Sequence, residues 1–250
     1  MMRKKSQIFL LFQLLFLQLV FQNSNAQVFF EWQPVSRGNT HAGTFYGTEN
    51  LYKDVPYARI KGSPFWNDIW TPASLYDNNN KLIARLPVKL NLASGELYYL
   101  NKGEPLVVAD DLVRKVVIHT DTTTWNVKAV FVNYLPYIYT NKQKINDFVQ
   151  IFHVGYAILI KYVQRQMKVG DSALGTQKRY YFADEINYFI QVNNKAEPIR
   201  RLSKDAIFQL LPGAFQMQGW IAERKLDMRK EEDVIQFIEY YNSIKEKEGK

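Results

Sequence analysis

The chain has 250 residues, 47% hydrophobic and 22% charged, with 12 Gly and 9 Pro. That is globular composition, enough for one large domain or two small ones, and it excludes collagen, low-complexity and disordered classes. There is no cysteine, which excludes a disulfide scaffold, a thiolate metal site, a cysteine nucleophile and a lipidated N-terminal cysteine.

The first 26 residues read as an export signal. Arg3, Lys4 and Lys5 form a basic start, and residues 8–21 are apolar except for Gln13 and Gln18. Ser24 and Ala26 then place small side chains at −3 and −1 of a cut after Ala26. This is the layout of a secretory signal peptide. A membrane-spanning helix needs about 20 apolar residues, longer than this run. Charges interrupt every later apolar run. Signal removal lowers the net charge from +8 to +5, and the remaining Lys and Arg are scattered. Nucleic acid is therefore not an expected partner, because its binding needs a clustered basic footprint. The mild positive bias is compatible with attraction to anionic envelope lipid or polysaccharide. The expected location is periplasmic, envelope-associated or extracellular.

After residue 27 comes a short apolar stretch ended by Pro34, then an irregular loop over 36–50. Residues 56–72 combine Pro56, Gly62, Pro64 and Pro72 with Phe65, Trp66, Ile69 and Trp70, which predicts an extended segment pinned by its aromatics. From residue 73 short strands recur at spacings of about 8–12 residues, the mark of a meander, sandwich or barrel. The first turn is Asp77-Asn78-Asn79-Asn80; the strand over 81–92 carries Pro87, predicting an edge or bulge. Further strands are expected near 97–100, 105–109, 113–120 and 127–135. Residues 148–154 and 156–167 predict a long hairpin, 168–177 a loop, and 179–182 with 186–192 a second hairpin turning at Asp184-Glu185.

The period changes at Ser203, an N-cap before Ala206, Ile207, Leu210 and Leu211 at helical spacing. Pro212-Gly213 stops that helix. A weaker helix over 215–225 contains Gly219. Glu231, Glu232 and Asp233 open a third, whose apolar face is Val234, Phe237, Ile238 and Tyr241, with 244–250 as a frayed tail. The expected fold is mainly β (α+β): an antiparallel meander-, sandwich- or barrel-like body over 27–202, with 203–250 a helical layer packed on it and too short for a core of its own.

Lys61-Gly62-Ser63-Pro64-Phe65 with Trp70, Tyr180-Tyr181-Phe182, residues 198–204, Glu231-Glu232-Asp233 and Tyr240-Tyr241-Asn242 form a pattern. It resembles an uncharacterised family of small secreted proteins from Bacteroidota-type bacteria, over about residues 57–243. The resemblance implies export, a mostly β body and a helical C-terminal end. It brings no activity and no catalytic residues.

Gly170-Asp171-Ser172 is similar to the GDS motif of SGNH-type esterases. That serine needs a later histidine, and His41, His119 and His153 all precede it. Ser172 is read as a loop residue. Asp110, Asp111, His119 and Asp121 are the densest metal-type group, but adjacent aspartates in a strand point to opposite faces. Asp184, Glu185, Glu96 and Glu104 are expected at turns. Gly38, Gly43 and Gly47 precede no helix and form no phosphate loop. Trp32, Trp66, Trp70, Trp125 and Trp220 are scattered and read mainly as packing, with a glycan or peptide groove as the functional alternative. No catalytic, cofactor-binding or metal residue is nominated, and no cofactor is expected. The expected function is a non-catalytic envelope binding or structural module, with polysaccharide, peptide or another envelope protein as partner. The alternative is a carboxylate-based hydrolase of envelope or extracellular polysaccharide.

Overall fold

The structure is a computed structural model that describes residues 60–108, 112–133, 139–140, 143–144, 147–171 and 178–248. The chain divides into two units, Met1–Gln33 and Pro34–Lys250, and all described residues belong to the second. The export signal, His41, Asp110, Asp111, Ser172 and Trp32 lie outside the described residues.

Thirteen strands are described: β1 Ile60–Lys61, β2 Thr71–Tyr76, β3 Leu82–Leu90, β4 Leu97–Asn101, β5 Glu104–Val107, β6 Lys115–His119, β7 Val127–Val132, β8 Tyr139–Thr140, β9 Gln143–Lys144, β10 Val149–Phe152, β11 Ala157–Asp171, β12 Lys178–Val192 and β13 Lys195–Ile199. Eleven of them make one mixed sheet, ordered β1-β12-β11-β10-β7-β6-β2-β3-β4-β5, with β13 also on β12; it does not close. The remaining pair, β8 and β9, stands alone. The body is mainly β, as expected from its strand rhythm. All the sheet pairings are antiparallel except β1 with β12.

Turn chemistry explains the meander. The Asp77 carboxylate accepts from the backbone N–H of Asn79 and Lys81 at 2.8 and 2.9 Å, folding the β2–β3 turn. Two-residue loops with positive φ, Lys102-Gly103 and Asn193-Asn194, turn β4 into β5 and β12 into β13. Pro87 faces Pro72 on β2, and β4 pairs β3 only from Val88 onward, so its missing N–H sits where β3 has one partner.

Two expectations are corrected here. The segments 179–182 and 186–192 are not a hairpin but one 15-residue strand, paired along its whole length with β11. Asp184 and Glu185 therefore lie mid-strand, where Arg165 opposite Asp184 on β11 supplies the countercharge a turn was expected to make unnecessary. Correspondingly, 168–171 extend β11.

The segment before β2 is pinned as expected. Ile60 and Lys61 pair with Tyr180 and Tyr181, and Phe65 bridges Asn91 beyond β3. Arg165 holds this strap from beneath: Nη1 donates to the carbonyls of Ser63 and Phe65 at 2.8 and 2.6 Å. Its own backbone N–H donates to the Leu92 carbonyl at 3.1 Å.

The C-terminal helices are α1 Lys204–Leu210, a 3-10 turn Ala214–Met217, α2 Gln218–Glu223 and α3 Glu231–Glu248. The Ser203 hydroxyl caps α1 by accepting from the N–H of Ala206. The expected tail from 244 is instead the last turn of α3, where Lys245 pairs with Glu248 at 2.7 Å. Val234, Phe237, Ile238 and Tyr241 are buried in one core with Ala157, Leu159, Ile190 and Ile199 of the sheet. Asn242, fully buried, behaves as a missing strand neighbour: its Oδ1 accepts from the N–H of Ala157 at 2.7 Å and its Nδ2 donates to the carbonyl of Ala157 at 2.8 Å. Gly155 makes room for it, since a Cβ there would lie 2.5 Å from Asn242 Nδ2. Among the described residues, no helix is long and apolar enough to cross a membrane.

Burial raises the phenol pKa of three tyrosines, of which Tyr188 ties the sheet to α3 through Glu231. Tyr241, which donates to the Pro212 carbonyl at 2.9 Å, is pushed up to about 12. Tyr162 and Tyr188 are raised by burial and by hydrogen bonds to Asp147 and Glu231. Unfolded tyrosines lose their protons near pH 10, earlier than these folded ones. Above that pH the unfolded chain therefore binds fewer protons and stability falls. Urea midpoints should be flat from pH 7 to 9 and decline from pH 10 upward, with a shallower decline in Tyr188→Phe. An unchanged slope in that variant would remove Tyr188 from this account.

Candidate binding face

Ser74 on β2 lies beside Arg85 on β3 and Val117 on β6. Strand alternation therefore gathers Ser74, Tyr76, Arg85, Lys89, Lys115 and Val117 on one face of the sheet. On that face the buried His119 Nδ1 lies 2.8 Å from the Trp125 carbonyl and Nε2 lies 2.9 Å from Ser74 Oγ. A carbonyl only accepts, so Nδ1 donates to it, and in the neutral ring Nε2 then accepts from the serine hydroxyl. Both ring nitrogens are taken, which leaves His119 no lone pair for a metal.

The loop after β6 is folded by Asp121. Its carboxylate accepts from the N–H of Thr123 and Thr124 at 2.8 and 2.6 Å and from the hydroxyls of Thr120 and Thr124, both at 2.8 Å. These bonds, those from Thr124 foremost, hold its pKa well below the usual carboxylate range. The loop delivers Trp125 in the left-handed region, φ 54°, with its ring edge-on to His119 at 4.9 Å. The Arg85 guanidinium sits over the Trp125 ring at 5.1 Å. Four residues along β3, Lys89 Nζ lies 5.2 Å from the Phe65 ring and 5.4 Å from the Trp70 ring. Lys115 Nζ lies 4.2 Å from the ring of Tyr76, its cross-strand neighbour. Each such pair contributes about 0.5–1 kcal/mol at an exposed site, and holds the cation in place above a flat apolar plate.

Arg85 is exposed and Trp70, Tyr76, Lys89, Lys115 and Trp125 are half-buried. Arg85 has no carboxylate partner among the described residues. The Arg85 and Lys89 positions are about 13 Å apart along the strand. A cation beside a half-exposed ring can meet a ligand that carries an acid group and a flat C–H face together.

Of the other residues weighed from sequence, Trp66 packs edge-on to Phe131 at 5.3 Å with Lys128 Nζ 5.4 Å from its ring, and Trp220 stacks on Tyr240 at 4.1 Å with the Arg224 guanidinium 4.9 Å from its ring. His153 is exposed in the β10–β11 turn with φ 48°. Glu96 accepts from Ser94 Oγ and Tyr98 Oη. Glu104 is exposed at the end of β5. Among the described residues, no three His, Asp or Glu side chains gather as a metal site. Among the described residues, the carboxylates moved away from their ordinary pKa, Asp121 and Asp227, are both moved down, the wrong direction for a general acid. Ser74 had no signal in the sequence, since its partner is 45 residues away. The Arg85 and Lys89 spacing was such a signal, because i and i+4 share a face in a strand.

No family model, curated protein or solved structure matches this chain.

Proposed function

We propose that this is an exported, non-catalytic module of the cell envelope or its surroundings that binds acidic polysaccharide through the β2–β3–β6 face. The observation that carries the reading is Arg85 held over Trp125 with no carboxylate partner among the described residues, together with Lys89 beside Trp70 and Phe65 further along β3. Arginine forks match carboxylates and sulfates, and the rings offer plates for the apolar faces of sugar rings. A strand that repeats the pair suits a linear polymer better than a compact ligand. The layout of residues 1–26 supports export to where such polymers are found.

Affinity electrophoresis through gels containing polygalacturonate or dextran tests this. Retardation by the acidic polymer alone is expected, weakening as salt rises. Arg85→Ala and Trp125→Ala should each raise Kd about tenfold, equal to about 1.4 kcal/mol. Equal mobility in both gels, or retardation that both variants retain in full, would overturn the reading.

A further inference from the structure

An open groove lies on the helical layer and shares no lining residue with the binding face. It encloses about 790 Å³ between the start of α1, one side of α2 and the chain that leads into α3. Ile221, Leu226 and Met228 supply its apolar floor, and Lys204 and Lys225 stand at its edge. The one acid that lines it, Asp227, is consumed: Arg229 donates to both its oxygens, from Nε at 2.9 Å and from Nη2 at 3.0 Å. Lys204 and Lys225 have no such partner among the described residues, so the groove's edge carries uncompensated positive charge over an apolar floor.

Gly219 lines the groove on α2, and a Cβ built there would meet no atom within 4 Å. Glycine inside a helix costs about 0.5–1 kcal/mol relative to alanine, and here neither a tight turn nor a close backbone approach offsets that cost. The Lys225 backbone is in the left-handed region, φ 55°, which ends α2 and turns the chain so that Leu226 and Met228 face the groove from beyond it.

We propose that this groove binds a small anionic amphiphile, a hydrocarbon body with one carboxylate or sulfonate head. The body covers Ile221, Leu226 and Met228, and the head lies between Lys204 and Lys225. Charge selects against a cationic amphiphile of equal size, and the volume suits one ligand of modest length rather than a polymer. The site is independent of the acidic-polymer reading and shares no residue with it.

Titration with 8-anilinonaphthalene-1-sulfonate, followed by competition, tests the proposal. One saturable site is expected, emptied by dodecanoate and left occupied by dodecyltrimethylammonium. The double variant Lys204→Glu/Lys225→Glu should weaken the sulfonate at least tenfold. Gly219→Leu should abolish saturable binding by filling the groove, while its melting temperature stays level or rises because leucine is the better helix former. Arg85→Ala should leave this titration unchanged, which separates the site from the binding face. Saturable binding that survives Gly219→Leu, or equal displacement by the cationic amphiphile, would overturn the proposal.

Discussion

Deleting residues 229–250 is expected to abolish the cooperative melting transition. The deletion removes Val234, Phe237, Ile238 and Tyr241, each at most 1% exposed. Each is worth about 1.5–3 kcal/mol in burial, against a net stability of about 5–15 kcal/mol for a protein of ordinary size. It also strips the Ala157 backbone of both Asn242 bonds and removes Glu231 from Lys161 and Tyr188. The shortened protein should bind an apolar dye strongly and lose near-ultraviolet circular dichroism. Deleting only 246–250 should leave a cooperative transition within a few degrees of the original, because Lys245 and the apolar face remain. A cooperative transition at the original temperature in the 1–228 form would show that α3 is not part of the core.

Arg165→Met is expected to cost about 2–3 kcal/mol, read as a lower urea midpoint. Methionine keeps much of the aliphatic stem but removes four charge-assisted bonds: two to the Ser63 and Phe65 carbonyls and two to Asp184, from Nε at 2.6 Å and Nη2 at 2.9 Å. Bonds to charged groups have a net worth of about 1.5–3 kcal/mol each when shielded from solvent, and the carbonyls left behind can be only partly rehydrated under the strap. Solvent reaches the pair, with 18% and 34% of the two side chains exposed, so the total stays well below the sum. Asp184→Asn should cost less, because the arginine keeps both carbonyls. A methionine variant within 0.5 kcal/mol of the original would mean that pairing with β12 and Asn91 alone holds the strap.

The strand positions were legible because turns announce themselves. Asp77 to Asn80, Lys102-Gly103 and Asn193-Asn194 are residue types that accept positive φ or cap their own backbone, and each ends a strand where expected. The helix face of α3 was legible because its spacing is periodic. Asp184-Glu185 misled because a charge pair in mid-strand is ordinary only when its cross-strand partner is known, and Arg165 is 19 residues away. The binding face was hidden for the same reason. Trp125 acquires its place from Asp121 within the loop, which local chemistry can predict, but also from His119 and Ser74, whose meeting depends on which strands become neighbours. All four described tryptophans carry a cation; Trp70 and Trp125 differ from Trp66 and Trp220 in that their cations, Lys89 and Arg85, come from one strand, β3.

The strap has a consequence for how the protein reaches this state. Its contacts to Arg165 span 102 and 100 residues, and Asn242 closes on Ala157 across 85. Ile60 cannot take its parallel place until Tyr180 has been made. The hairpins between can form on their own as the chain lengthens, but the first described element must wait for β12 and the sheet face at Ala157 must wait for the last helix. Chains dominated by such distant contacts fold in milliseconds to seconds rather than microseconds. For that interval the β12 edge that β1 covers is bare, and the face that α3 covers stays wet. The nascent chain thus keeps an apolar sheet face uncovered until its final helix arrives, so a holding chaperone still has a task at the end of synthesis.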